Sequence, residues 1–310
     1  MFPITELNER LYEIDNNPNF YDDTYVGDLV LTKDGKVEFR ITNDTVIRDF
    51  PLKDNKAKGA VEIYQMPEKD KEGKVYRDRY IMGHDPVDSD VSGTMSLSST
   101  FVLDLFTDKI VAEYTGRSEF ADDNYEKVRL LCMFYNAKCL YENNLKGLYS
   151  YFSRLNCTHL LADTPEYLKD KQLIKSSGWG NAAKGVTATV SINNYANELI
   201  KAWLLTPVPT VVEDAEGQRE VNVHNLYFIK NRALLRELIA FNPFVNVDRV
   251  RALGILMLYR EEKLILYRGD VRHNSLREDP NFIGNDDFFT RNYDEKFANS
   301  KFNKTNIFFN

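Results

Sequence analysis

Residues 80–86 read YIMGHDP, an apolar run that ends in an acid and a proline, and the fold can be built outward from them. Two further apolar runs follow at 98–107 (SSTFVLDLFT) and 109–116 (KIVAEYTG), with Asp108 and Lys109 at the turn between them. Apolar runs of this length, bounded by turn residues, are typical of strands. The three segments therefore predict an antiparallel meander of three strands.

Helices and strands are predicted to alternate after the meander. Residues 122–136 (DDNYEKVRLLCMFYN) carry apolar residues at the i, i+3, i+4, i+7 spacing of an amphipathic helix. The predicted elements that follow are a strand at 137–143 (AKCLYEN), a helix at 146–155, a strand at 158–165 (THLLADTP) and a helix at 192–205. This order predicts an α/β fold with a mixed five-stranded sheet flanked by helices, and it resembles the order of the ribonuclease H-like fold.

The remaining segments divide the chain into three predicted parts. Residues 1–75 are predicted to be a linker or peripheral segment, with a helix at 5–14 and a hairpin (GDLVLTKDGKVEFRIT) that turns at Asp34-Gly35 in a type I′ turn. Residues 76–265 form the predicted ribonuclease H-like core. It ends in a loop and short strand (217–225) and two helices (225–242 and 247–262). Residues 266–310 are the predicted C-terminal tail.

Composition sets limits on the class of protein. The chain has 310 residues, 43% of them apolar, and can bury a substantial core. No apolar run approaches the roughly 20 residues that span a bilayer, and the first ten residues do not have the pattern of a secretory signal, so a soluble intracellular protein is expected. Cys132, Cys139 and Cys157 lack zinc-site spacing, and we expect them to be reduced, buried thiols.

The formal net charge of −7 counts against a nucleic-acid partner, because phosphate binding depends largely on Lys and Arg. Net charge does not determine the local field, however, and metal-binding acids themselves add to the negative count. The charge balance therefore predicts only a modest intrinsic affinity for DNA.

Three acids follow or precede apolar elements and are candidate metal ligands. Asp85 ends the first predicted core strand, Glu142 ends the fourth, and Asp248 begins a late helix. Hard divalent cations such as Mg²⁺ prefer oxygen ligands, so three converging carboxylates would form a magnesium site. Each acid also has a simpler interpretation: a turn aspartate at Asp85, an exposed strand end at Glu142, and a helix N-cap at Asp248.

Other acids and the histidines are weaker candidates. Asp88 or Asp90 could reach the same ion or be a solvated turn residue, and Asp163 is a fallback ligand. Asp104 is expected on the solvent face of its strand. The four histidines lack zinc-site spacing, and His84 is expected to be an edge residue that could at most touch a phosphate.

Candidate DNA contacts flank the acids or lie in the loop after the fifth predicted strand. Trp179 in that loop could stack on a base or sugar, although packing in the core is a fair alternative. Lysines and arginines at these places could pair with phosphates or simply be solvated; the candidates are Lys146, Lys184 and Arg249, with Arg251, Lys169, Lys171 and Lys175 as further options.

Taken together, five segments resemble the nuclease domain of the large terminase of tailed bacteriophages, most nearly those of crAss-like phages. The segments are YIMGHDPVDSD, FVLDLFTDKIVAEYTGR, YNAKCLYENNLKGLYSYF, LLADTPEYL and NVDRVRALG, and the likeness runs from about Phe2 to Tyr259. The resemblance implies an endonuclease that cuts concatemeric double-stranded viral DNA in the host cytoplasm with two Mg²⁺ or Mn²⁺ ions. It assigns Asp85, Glu142 and Asp248 as ligands, with Asp88 or Asp90 as an auxiliary ligand.

The chain departs from that family in one large respect. Terminases join the nuclease to an ATPase, and no phosphate-binding G-x-x-x-x-G-K-[ST] loop is present here. The departure implies the nuclease half alone, with Met1 not the natural start. By resemblance, the expected partners are DNA, the ATPase domain, the portal protein and the small terminase subunit, with no membrane.

Two other classes of protein remain open. A ribonuclease H-like resolvase or integrase would use the same three acids, and a non-catalytic docking domain would carry them only as solvated charges.

Overall fold

A mixed sheet flanked by helices on both faces is the centre of the computed structural model, which describes residues 2–52, 58–87, 96–174, 183–214, 217–242 and 245–275. In these residues seven strands form the sheet, in the order β2-β1-β3-β6-β5-β4-β7. The strands are β1 (Tyr25–Leu31), β2 (Val37–Ile41), β3 (Val61–Ile63), β4 (Tyr80–Asp85), β5 (Ser98–Asp104), β6 (Lys109–Gly116) and β7 (Lys138–Tyr141). The helices are α1 (Ile4–Asp15), α2 (Ala121–Tyr135), α3 (Gly147–Arg154), α4 (Tyr167–Asp170), α5 (Val190–Leu204), α6 (Arg232–Ala240) and α7 (Asp248–Ser275).

The predicted α/β class, the meander and the parallel fourth core strand are confirmed. β4, β5 and β6 pair antiparallel in sequence, and β7 pairs parallel to β4, with His84 opposite Tyr141. Such a parallel neighbour needs a crossover, and α2 provides it. The resulting order β6-β5-β4-β7 is that of the first four strands of a ribonuclease H-like sheet.

The side chains of β4 alternate between two separate cores. Ile81 packs in one core with α1, α5, α6 and α7, whereas Tyr80 and Met82 pack in the other with α2 and α3. Successive strand residues point to opposite faces of a sheet. Gly83 and Asp85 therefore lie on the α7 face together with Ile81.

The predicted fifth strand at 158–165 is wrong over most of its length. A 3₁₀ turn takes up Thr158–Leu160, and in the described residues only Leu161 bridges to β7, parallel to Cys139. The backbone pairing here is short: the Ala162 N–H donates to the Cys139 carbonyl, the Thr164 N–H donates to the Ala183 carbonyl, and Pro165 cannot donate a further ladder hydrogen bond. The chain occupies the fifth-strand position without forming a strand.

The N-terminal segment that was predicted to be a linker or peripheral is part of the sheet. β3 pairs with β6, β1 pairs with β3, and Leu7 of α1 is fully buried in the core. The hairpin at 25–41 is confirmed, but its turn is not type I′. Of its two central residues, only Gly35 has a positive φ, and its N–H donates to the Thr32 carbonyl, as in a three-residue loop with a left-handed glycine.

The later elements differ from the prediction in type as well as in length. Residues 207–224 form a two-stranded hairpin, β8 (Pro207–Asp214) and β9 (Gly217–His224), in place of the predicted loop and short strand. The predicted helix at 225–242 is a 3₁₀ turn followed by α6, because the Asn231 side chain caps a new helix by accepting from the Leu234 N–H. Helix α7 continues to Ser275, beyond the predicted core boundary at 265.

Helix α7 lies directly against β4, and a glycine permits this approach. A Cβ atom added to Gly83 would lie 2.5 Å from the backbone nitrogen of Leu256 and 2.6 Å from its Cα atom. Real Cβ atoms do not approach a backbone this closely, so no other residue fits between β4 and α7 without a shift. The middle of α7 is thereby fixed on the strand that ends in Asp85.

A buried ion pair anchors α7 further along. Arg260 donates from Nε and Nη2 to the two carboxylate oxygens of Asp108, at 2.5 and 2.7 Å. Asp108 belongs to the β5–β6 turn and has a positive φ of 53°. The fork geometry joins the helix to the sheet with two charge-assisted hydrogen bonds.

Two expectations from composition can be compared with the structure. No helix in the described part of the chain is long and apolar enough to cross a bilayer. The three cysteines are buried free thiols, as predicted.

We expect Gly83→Ala to destabilise the protein by about 1–3 kcal/mol, the usual range for overpacking a core, because α7 must move away from β4. Chemical denaturation followed by circular dichroism measures the loss. Gly254→Ala is the comparison variant and should cost less, since its Cβ would meet side-chain atoms, the Ala196 Cβ at 3.2 Å and the Ile200 Cδ1 at 3.7 Å, and alanine favours a helix. Equal stability of Gly83→Ala and the parent protein would contradict the close contact.

Candidate metal centre

Asp85 and Glu142 lie side by side at one edge of the sheet. β4 and β7 are parallel neighbours, so their carboxyl ends meet at the same edge. The Glu142 N–H donates to the His84 carbonyl at 3.1 Å, which continues the ladder one residue beyond β7. Leu140 faces the α7 core, so alternation places Glu142 on that face with Asp85.

Asp248 is brought to the same edge by α7. It is the first residue of the helix, and its Oδ2 accepts from the Leu97 N–H at 2.7 Å and from the Asn246 amide at 3.2 Å. Leu97 immediately precedes β5, where Ser99 is the register partner of Asp85. The structure therefore brings together Asp85, Glu142 and Asp248, which we call the acid trio.

The electrostatics of the acid trio show that its members interact. Burial, then the neighbouring charges of Glu142 and Asp248, raise the pKa of Asp85 well above its ordinary value. Burial also raises the pKa of Glu142, and burial raises that of Asp248 despite its hydrogen bond from Leu97. Burial therefore disfavours ionisation of all three carboxyl groups, and for Asp85 the charges of Glu142 and Asp248 add to this effect.

A divalent cation would add positive charge beside the trio, and the carboxylate oxygens are hard donors of the kind that such a cation prefers. Among the described residues, the Asp85 and Glu142 carboxylates have no hydrogen bond or ion pair with another side chain. As placed, however, no group of three or more His, Cys, Asp or Glu in those residues could hold a metal ion. Mg²⁺ suits such an open arrangement, because it keeps several waters and takes only one or two carboxylates directly.

Arg251 is the cation that acts on every member of the trio. It is exposed, one turn into α7, and its charge lowers the pKa values of Asp85, Glu142 and Asp248 against the effect of burial. Sequence reasoning placed Arg251 only among many flanking cations. Its position one helical turn after Asp248 was the signal that could have singled it out.

Arg249 is a structural residue rather than a DNA contact, because its side chain is 1% exposed. It pairs with buried Glu237 at 2.7 Å and donates from Nη2 to the Ile47 carbonyl. Glu237 in turn accepts from the Arg249 and Val250 N–H groups, so it caps the first turn of α7. Sequence reasoning missed Glu237, although it holds the helix end that presents Asp248.

The other predicted DNA contacts are distributed around this edge. Lys146 is exposed at the start of α3, and its Nζ donates to the Asn143 carbonyl. Lys184 pairs with Asp163 at 2.8 Å and also donates to the Leu161 carbonyl, so part of its capacity is already used. Trp179, Lys175, Asp88 and Asp90 lie outside the described residues, and their assignments remain predictions.

Three polar residues have roles other than those expected. His84 is fully buried on the face opposite the trio, where its Nδ1 contacts Thr100 Oγ1 at 2.8 Å, and burial lowers its pKa to about 3. It cannot touch a phosphate there. Asp104, expected in solvent, is fully buried and forms a fork with Arg79. Asp163 is exposed and paired with Lys184.

Two cavities adjoin the trio. One, of about 350 Å³, is lined by Glu142, Arg251 and residues of α5 and α7. The other, of about 600 Å³, is lined by Asp248, Glu237 and the segment 49–52. The edge that carries the trio therefore borders a cavity on both the Glu142 side and the Asp248 side.

Comparison with known proteins gives a limited result. No protein-family model and no curated protein matches the chain. Solved structures similar to it are those of the large terminase nuclease from thermophilic phage G20c. The zinc-bound form has 12% identity and a TM-score of 0.39 over 68% of this chain and 91% of that one. The magnesium-bound form has 10% identity and a TM-score of 0.35 over 69% and 92%. These values are too low to carry an argument about function, which must come from the residues described above.

We expect the metal-free protein to lose stability as pH rises, because the folded-state pKa of Asp85 is raised above its unfolded value. Its contribution is fully present below the unfolded value of about 3.9 and is lost as pH rises through the folded pKa. Asp85→Asn removes this penalty. Its melting temperature should therefore fall less than that of the parent between pH 5 and pH 8.

The matching measurement is thermal unfolding in EDTA and in Mn²⁺. At pH 8, Mn²⁺ should raise the melting temperature of the parent and leave Asp85→Asn nearly unchanged. The raised pKa of Asp85 would be contradicted if the melting temperatures of the two proteins changed equally with pH and rose equally in Mn²⁺.

Proposed function

We propose that this protein is a metal-dependent endonuclease that hydrolyses phosphodiester bonds in double-stranded DNA. The convergence of Asp85, Glu142 and Asp248 at one sheet edge supports this proposal most directly. The three residues come from three separate elements, and burial raises the pKa of each of them even though Arg251 is nearby. Such a site is suited to Mg²⁺ or Mn²⁺ and to a phosphate bridging between the cation and the protein.

The ligands in this proposal are the three trio carboxylates, with two ions and with Asp88 or Asp90 as an auxiliary ligand. Bound divalent ions would activate water and stabilise charge on the leaving oxygen of a phosphodiester. Asp85 is the acid whose pKa responds to both Glu142 and Asp248, and it would be the ligand that contacts both ions. The hydrogen bonds from Leu97 and Asn246 hold one oxygen of Asp248 and orient its carboxylate.

Cationic residues of the chain would position the phosphate. Arg251 is exposed beside the trio and can hold a non-bridging phosphate oxygen without being buried itself. Lys146, at the start of α3, is a second exposed cation on the chain segment that follows Glu142. Contacts of this kind hold the DNA backbone without reading its sequence, so little sequence preference is expected.

A place in viral genome packaging is the finer part of the proposal. The sequence motifs resemble terminase nuclease domains, and the G20c structures are of a terminase nuclease, although their similarity is low. On this proposal the protein cuts concatemeric DNA in the infected host cytoplasm. Its partners would be an ATPase domain of the same terminase, the portal protein and the small terminase subunit.

Plasmid cleavage in Mn²⁺ tests the nuclease. We expect Asp85→Ala, Glu142→Gln and Asp248→Asn each to slow cleavage by at least about 100-fold, since even outer partners of metal ligands cost about 10–100-fold. EDTA should stop cleavage by the parent. Asp163→Asn is the control acid, because Asp163 is exposed and paired with Lys184, and it should cleave at the parental rate.

Two results would count against the proposal. Cleavage that persists in Asp85→Ala and in EDTA would remove the metal mechanism. A parent that binds Mn²⁺ but cleaves only four-way junctions would favour a resolvase over a packaging nuclease.

A further inference from the structure

The cavity beside Glu142 has a chemical character of its own. At about 350 Å³ it lies in the size range of small-molecule sites, about 300–1,000 Å³. Its walls are mainly apolar, and its polar groups are few. They include the charged residues Glu142 and Arg251 and the amides of Asn193 and Asn197.

The two amides are placed one helical turn apart on α5. Asn193 and Asn197 are both half-buried, and among the described residues neither side chain has a hydrogen-bond partner. Half-buried amides facing a cavity keep donors and acceptors available for a ligand. An asparagine amide can pair with two atoms on the edge of adenine, N6 and N7.

The wall also contains an aromatic ring and a cation. Phe241 is half-buried, and its ring meets Phe2 edge-on at 5.2 Å between centroids, which supports it from one side. Bases stack on aromatic rings of this kind. Arg251, which also lines the cavity, carries the positive charge that a phosphate requires.

The floor of the cavity is rigid. Gly254 of α7 faces Ala196 of α5, and a Cβ atom on the glycine would lie 3.2 Å from the alanine Cβ. These small residues let the two helices pack closely below the cavity. One side of the space is therefore defined by the packing of two helices, and non-helical residues such as Val186, Ala188 and Phe241 complete the lining.

We propose that this cavity binds one unpaired nucleotide of the DNA strand being cut, next to the scissile phosphate. The base would stack on Phe241 and pair with Asn193 and Asn197, while Arg251 holds its phosphate. A base inside an intact duplex cannot enter such a cavity, so the site selects a nucleotide that is already unpaired or is easily flipped. The assignment of the ligand as DNA rests on the proposed nuclease function.

Direct binding of a mononucleotide tests the site independently of cleavage. Deoxyadenosine monophosphate is titrated into the purified full chain in Mg²⁺, and binding is followed by NMR. We expect saturable binding by the parent and at least about tenfold weaker binding by the double variant Asn193→Ala, Asn197→Ala. Ser191→Ala, an exposed residue of α5 that does not line the cavity, should bind as the parent does.

The double variant is expected to remain folded, because alanine is a better helix former than asparagine. Its melting temperature, measured in parallel, verifies this. Equal affinity of the double variant and the parent, or no saturable binding by the parent, would overturn the proposal.

A cleavage experiment distinguishes failure of this inference from failure of the nuclease proposal. The parent should cut a duplex with one unpaired adenine faster than a fully paired duplex. The double variant should lose that difference, and a double variant that keeps it would contradict the site. If the parent cuts neither duplex yet binds the nucleotide through Asn193 and Asn197, the nuclease proposal fails and the nucleotide site stands.

Discussion

The contact between α7 and β4 at Gly83 is the constraint on which the candidate site depends. Asp85 is two residues after Gly83 on the strand, and Asp248 is two turns before Leu256 on the helix. Because a Cβ at residue 83 would lie 2.5 Å from the Leu256 backbone nitrogen, the helix can sit at this depth only above a glycine. Any residue that lifted α7 would move Asp248 away from the two acids of the sheet.

Buried charge pairs then fix the direction of the helix. Arg260 and Asp108 hold its middle to the β5–β6 turn, while Glu237 and Arg249 hold its first turn to α6 and to the Ile47 carbonyl. Removing one partner of such a pair leaves an uncompensated buried charge, which typically costs about 3–5 kcal/mol. The trio lies beside these paired charges, and Asp85 and Glu142 have no ion pair with another side chain in the described residues, although Arg251 lowers the pKa of each trio member. This contrast separates the functional acids from the structural ones.

Much of the fold follows from local sequence. Apolar runs bounded by turn residues predicted β4, β5 and β6, and the apolar period of residues 122–136 predicted α2. The prediction of the fifth strand was wrong because an apolar run does not show which neighbours its backbone can pair with: in the described residues only Leu161 bridges to β7, and Pro165 cannot donate a further ladder hydrogen bond. The place of the N-terminal strands in the sheet was not predicted, because the pairing of β3 with β6 is a long-range contact that no local sequence pattern reports.

The positions of the three acids at the ends of elements could be read from the sequence, whereas their role as metal ligands stays a prediction. The sequence placed each acid of the trio at the end of an element, and the topology brought these ends together. Whether a cation near them is exposed or buried depends on tertiary packing, however. Arg249 and Arg251 are two residues apart on one helix, yet only Arg251 reaches the surface. Glu237 gave no signal because its partner groups are the backbone N–H groups of a different helix.

Anomalous diffraction from crystals soaked in Mn²⁺ tests the central claim most directly. The account predicts manganese peaks bounded by oxygens of Asp85, Glu142 and Asp248, with two ions about 3.5–4 Å apart. The account would be contradicted if crystals with ordered side chains at these three positions bound manganese elsewhere or not at all.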